Sequence, residues 1–148
     1  MKFFFTLLLA TVITAASAQT VKNNLVVLGK TDSIQSKILN EKRKFWVYLP
    51  SGYEGAPKKI YPVLYLLDGD AHFASVAGMI QQLSEVNGNT KLPQMIVVAI
   101  PNTDRTRDLT PTNSMLDPAS YTVEDFKTSG GGEKFTSFIE KALMPTIA

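Results

Sequence analysis

Asp68 and Asp70 stand on either side of Gly69, directly after the apolar run Tyr61-Pro62-Val63-Leu64-Tyr65-Leu66-Leu67. Two carboxylates at such a place could act as a catalytic pair, because in open α/β sheets ligands bind just beyond the carboxyl ends of the strands. A second cluster, Asp104-Arg105-Thr106-Arg107-Asp108, follows another apolar run, Met95 to Ile100. Its guanidinium forks, Arg105 and Arg107, could grip an anionic or polyhydroxy substrate, or lock their own loop through ion pairs. Asp68 is a further candidate for substrate contact. His72, the only histidine, would need a nucleophile within hydrogen-bond reach to serve as a base; none is suggested beside it, and a helix-surface role fits better. Trp46 and Tyr48 read as sheet packing, with Trp46 as a sugar-stacking platform the lesser alternative.

These side chains need a scaffold. Val63 to Leu67 lacks polar alternation and is bounded by Pro62 and Gly69, which predicts a fully buried strand. Phe73, Val76, Ala77, Ile80 and Leu83 recur at three- and four-residue spacing, so a helix should follow, capped by Asp70 and ended by Asn87-Gly88-Asn89. Met95 to Ile100 is a second buried strand, stopped by Pro101-Asn102. Strand, helix and strand make one βαβ unit with a right-handed crossover, and two buried parallel strands imply helices on both faces. Upstream, Ser33 to Leu39 and Lys44 to Leu49 are predicted strands around an Asn40-Glu41 turn, and Ser51 to Lys59 is a surface loop. Downstream, Thr103 to Ser129 is polar and shows no sustained period; loops of that length are often functional. Gly130-Gly131-Gly132 then opens an amphipathic helix carrying Phe135, Phe138, Ile139, Ala142 and Leu143, disturbed by Pro145.

The 148 residues are 45% hydrophobic with a net charge of +2, an ordinary globular balance. Without blocks of like charge, neither nucleic acid nor an anionic membrane is an expected partner. The triplet Lys42-Arg43-Lys44 reads as a solvated strand start. Lys2, the apolar stretch Phe3 to Ile13 and Ala16-Ser17-Ala18 before Gln19 have the three parts of a secretory signal. Residues 1–18 are therefore an expected signal peptide and 19–148 one portion of a domain, exported to the periplasm or secreted. With no cysteine in the chain, no disulfide can staple it.

The segments from Leu39 through Arg43 to Pro50, Tyr61 to Asp70, Ile96 to Pro101 and Arg105-Thr106-Arg107-Asp108-Leu109-Thr110-Pro111 resemble the N-terminal half of the esterase D and enterochelin-esterase-like family of the α/β-hydrolase superfamily. Gly131-Gly132 with Phe135, Phe138, Ile139 and Met144-Pro145 extends the resemblance across nearly all of the expected mature chain. It implies an α/β fold, a mostly parallel sheet with flanking helices, and hydrolysis of a small-molecule carboxylic ester by a Ser-Asp-His triad without a cofactor or metal.

Such a serine sits in a Gly-x-Ser-x-Gly elbow, and none of the serines here has Gly two positions before and two after. Thr128-Ser129-Gly130-Gly131-Gly132 lacks the first glycine and is better read as a helix start. Family order places the elbow on the strand after the Phe135 to Ile147 helix. The expectation is an N-terminal fragment of a serine esterase, truncated before the nucleophile-bearing strand and inactive alone. What the resemblance assigns to this chain is the oxyanion loop, Gly69 and Asp70, with the Asp70 N–H as donor; relatives often carry His-Gly at Asp68-Gly69. Two other classes compete. Asp68-Gly69-Asp70 also resembles the first motif of Mg²⁺-dependent phosphatases with an Asp nucleophile, although His72 stands where Thr or Val is usual. A non-catalytic carbohydrate-binding fragment is the other.

Overall fold

The computed structural model describes residues 25–55, 58–114 and 126–147. The expected signal segment, 1–18, and much of the polar stretch after Ser114 lie outside them. Four strands form a mixed sheet in the order β1-β2-β4-β3: β1 (Lys30–Ser36), β2 (Glu41–Tyr48), β3 (Val63–Leu66) and β4 (Ile96–Ala99). β1 and β2 form an antiparallel hairpin, and β2 is also antiparallel to β4. β3 and β4 run parallel, so the one parallel pair among the described strands is the expected βαβ unit. Both hairpin strands begin about three residues before the predicted positions. The turn is residues 37–40 instead of Asn40-Glu41, because the Ser36 hydroxyl accepts the Leu39 N–H at 3.0 Å and Asn40 takes a left-handed φ of 54°.

β4 is the buried axis. Its successive side chains point to opposite faces, and both faces are covered. On one, Val97 packs with Tyr48 and with Ala77 and Ile80 of α1 (Gly69–Ser84). On the other, Ile96, Val98 and Ile100 pack with Phe45, Tyr61, Phe135, Phe138 and Leu143. The last three come from a helix at the end of the chain, made of α3 (Gly132–Phe138), a π-helical turn at Ile139–Leu143 and α4 (Met144–Ile147). In the π turn the Met144 N–H reaches the Ile139 carbonyl. The turn ends two residues before Pro145, whose ring would crowd the carbonyl four residues back, that of Lys141 within the turn, in a regular helix.

β3 departs from expectation. Val63 is 37% exposed and Leu67 39%, not fully buried, because β3 is the edge strand and no described strand pairs along its other side. Within the polar stretch stands α2 (Arg105–Leu109), which no apolar period announces. The Asp104 carboxylate caps it, accepting the Arg107 N–H at 2.9 Å.

Arg43 also overturns its reading as a solvated residue. Along β2, Lys42 and Lys44 are exposed while Arg43 and Phe45 alternate inward. The Arg43 side chain is 2% exposed, and its Nη1 donates to Asp108 Oδ2 at 2.7 Å and to Glu41 Oε1 at 2.9 Å. Arg107 closes the ring, donating from Nη2 to Glu41 at 2.7 Å and from Nε to Asp108 at 2.7 Å. The Arg43 guanidinium lies 5.2 Å from the Phe135 ring centre and 6.0 Å from that of Phe138, where stacking adds to the ion pairs. Two cations and two carboxylates thus join β2, α2 and α3.

Removing one partner of a buried pair leaves a charge uncompensated. Arg43→Ala is expected to lower stability by about 3 kcal/mol, read as a fall in the urea midpoint; an unchanged midpoint would show that the ring carries no stability.

Candidate active site

The loop between β3 and α1 is built by a residue in an unusual conformation. Asp68 has φ 50° and ψ 44°, the left-handed region, which aspartate tolerates better than most side chains. This turns the chain sharply out of the strand and into α1. Gly69 follows and presses against β4: a Cβ there would lie 2.9 Å from both N and C of Ile100. Its N–H donates to the Ile100 carbonyl at 3.0 Å, so it is not open to a ligand. The Asp70 N–H, one of the donors that a helix start leaves unpaired, meets no acceptor among the described residues. Of the two candidate oxyanion residues, Gly69 therefore sets the approach and Asp70 holds the open donor, at the positive end of a 16-residue helix.

Asp70 does not cap α1. It lies in the first turn, and its Oδ1 accepts from Asn102, from N at 3.2 Å and from Nδ2 at 3.1 Å. Asp68 occupies the capping position without a side-chain cap. Its carboxylate faces Arg105 instead, accepting from Nε at 2.8 Å and Nη2 at 3.2 Å, and it accepts from Asn102 Nδ2 at 2.8 Å. The Arg105 bonds first, then Asn102, hold the Asp68 carboxyl below its ordinary 3.8.

Arg105 and Arg107 thus diverge. Arg105 is 64% exposed in its side chain and reaches the β3 turn; Arg107 is turned inward onto Glu41 and Asp108. For Arg107 the geometry is that of a loop lock. Burial raises the Glu41 pKa, but the bonds from Arg107 and Arg43 outweigh it and leave the carboxyl below 4.5.

In the sequence Asn102 reads only as a strand stop. The available signal was its place, directly after a buried strand at the sheet's carboxyl end, where an amide can bridge two loops. His72 is exposed on the first turn of α1. Trp46 sits edge-on to Phe73, ring centres 5.6 Å apart, as sheet packing requires. Beside the turn, an open and mainly apolar cleft of about 460 Å³ is lined by Leu67, Leu109, Phe135 and Ile139, with Glu133 and Thr136 on it. Asp68, the nucleophile of the phosphatase reading, has both oxygens engaged by Arg105 and Asn102.

Gly69→Ala is expected to cost about 2 kcal/mol through overpacking against Ile100, seen as a lower thermal midpoint; wild-type stability would contradict the close approach. Because the folded-state pKa of Asp68 lies below its unfolded value, its stabilisation is complete above about pH 5 and fades as pH falls through the depressed value. An NMR titration of the Asp68 carboxyl carbon should give a midpoint below 3.8; one at or above that value would remove the ion pair.

A family model described as "Putative esterase" matches residues 36–148. Among solved structures the chain is similar to an IroE-like serine hydrolase from Shewanella oneidensis, with a TM-score of 0.75 and 37% identity, covering 80% of this chain and 37% of that one. It is similar to the BES protein from Bacillus cereus, with a TM-score of 0.65 and 25% identity over 83% of this chain and 48% of that one. The siderophore hydrolase EstA from Aspergillus nidulans shares the fold, with a TM-score of 0.65 and 23% identity over 81% of this chain and 43% of that one. No curated protein matches the chain. The chain spans less than half the length of each of these three structures. The family match takes in all of β2, the turn after β3, the Arg107 lock and the terminal helix, and the chain belongs to this esterase family.

Proposed function

We propose that this chain supplies the oxyanion side of an exported serine esterase acting on a small-molecule ester. The observation that carries the reading is the Asp68-Gly69-Asp70 turn at the carboxyl end of β3, with the Asp70 N–H at the start of α1 unclaimed among the described residues. When a serine oxygen adds to an ester carbonyl, the carbonyl oxygen becomes an anion. A fixed N–H within about 3 Å of that oxygen stabilises the charge, and the helix terminus behind it adds in the same sense. Gly69, held to Ile100, prevents the donor from retreating as the charge forms. The apolar cleft beside Leu67 suits the carbon skeleton on one side of the scissile bond.

The reaction also needs a nucleophilic serine, a histidine base and an acid that orients it. These 148 residues contain no Gly-x-Ser-x-Gly elbow, and among the described residues the serine next to His72, Ser75, bonds its backbone carbonyl and not its ring, so by themselves they are not expected to turn over esters. The signal pattern of residues 1–18 supports the export part of this reading. Family membership and the 37% identity to a serine hydrolase support the reaction class.

Two measurements test this. Purified 148-residue chain should hydrolyse p-nitrophenyl acetate no faster than buffer. The DNA after codon 148, read in all frames, should encode a Gly-x-Ser-x-Gly elbow; a long continuation without one would defeat the assignment.

A further inference from the structure

The open donor is only as well placed as the turn that carries it, and that turn rests on a disfavoured conformation. Left-handed backbone brings Cβ close to the following carbonyl, so Asp68 would relax if nothing held it. Gly69 is pinned through Ile100, and the Asp68 carbonyl accepts the Ala71 and His72 N–H groups of α1 at 3.0 and 3.1 Å, so it is the Asp68 side chain that is left to be fixed from outside the helix. What reaches the Asp68 carboxylate is the Arg105 fork, two parallel N–H donors on two carboxylate oxygens, joined by Asn102 on Oδ1.

Arg105 is itself well seated. It is the first residue of α2, whose cap, Asp104, accepts the Arg107 N–H and the Thr128 hydroxyl. Two and three residues on, Arg107 and Asp108 are anchored in the buried ring with Arg43 and Glu41. The Gly131 N–H donates to the Arg107 carbonyl at 2.8 Å. One face of α2 therefore grips the core while its first residue reaches outward to the turn.

We propose that Arg105 is a positioning residue: by clamping the Asp68 carboxylate from a helix fixed to the core, it holds the left-handed turn and so aims the Asp70 N–H. This rests on the reading of Asp70 as oxyanion donor. It differs from substrate binding, because the guanidinium edge that would meet a ligand is turned to Asp68. A bidentate fork needs the planar geometry of arginine; lysine can restore the charge but make only one of the two contacts.

Amide hydrogen exchange in the full 148-residue chain tests the clamp without any activity. The Gly69 N–H, bonded to Ile100 across the turn, reports its opening, and the Val97 and Val98 amides of β4 serve as reference. Arg105→Ala should speed Gly69 exchange about fivefold relative to β4, with Arg105→Lys in between. No change at Gly69, or equal acceleration of β4, would overturn the proposal. In the complete enzyme Arg105→Ala should lower kcat with little effect on KM, since an oxyanion donor acts mainly in the transition state. A raised KM at constant kcat would overturn positioning in favour of substrate contact. Faster Gly69 exchange with both kinetic constants unchanged would support the clamp and instead sink the role of Asp70.

Discussion

A buried guanidinium must be answered by carboxylates, and Arg43 sets that demand for the whole upper half of the domain. Its side chain is 2% exposed, where an unpaired charge would cost several kcal/mol. Both answering carboxylates are shared: Glu41 with Arg107 from β2, and Asp108 with Arg107 from α2. The ring is neutral in sum and ties β2 to α2 beside the apolar cluster of Phe45, Phe135 and Phe138. α2, five residues long, has too few hydrogen bonds to hold itself; its position is an electrostatic fact before it is a helical one. Phe135 and Phe138 against the same guanidinium bring α3 into register with that arrangement.

The glycines after the loop follow from the same crowding. Gly131 lies so close to Arg107 that a Cβ would meet its carbonyl oxygen at 2.8 Å, and at Gly132 one would meet that of Thr110 at 2.9 Å. The three-glycine stretch is thus needed less to start a helix than to let two backbones touch.

Much of this was legible in the sequence where period and burial coincide. Met95 to Ile100 and the Phe73 to Leu83 face announce a strand buried on both sides and a helix on one, and the βαβ unit is there. What stayed hidden were effects of partners remote in sequence. Arg43 looks solvated until Asp108, 65 residues away, is placed beside it. β3 reads as buried because its composition says nothing about which strands are its neighbours. α2 was hidden because a cap and ion pairs make it, not an apolar repeat. The Asp68 turn could be located from the strand end, but its left-handed backbone, and hence which N–H remains open, could not.

Sequence distance also orders events in time. The hairpin of β1 and β2 closes around residues 37–40 and asks little of the chain, whereas joining Arg43 to Asp108 closes a loop across 65 residues, an entropy cost that comes before the contact gives anything back. Until Asp108 arrives, the Arg43 guanidinium has reason to keep its water, and the Phe45, Phe135 and Phe138 face cannot dry. The opposite face, where Ala77 and Ile80 settle on Val97, buries no charged side chain among the described residues. Two faces of one sheet should therefore lose their water in sequence, the uncharged one first.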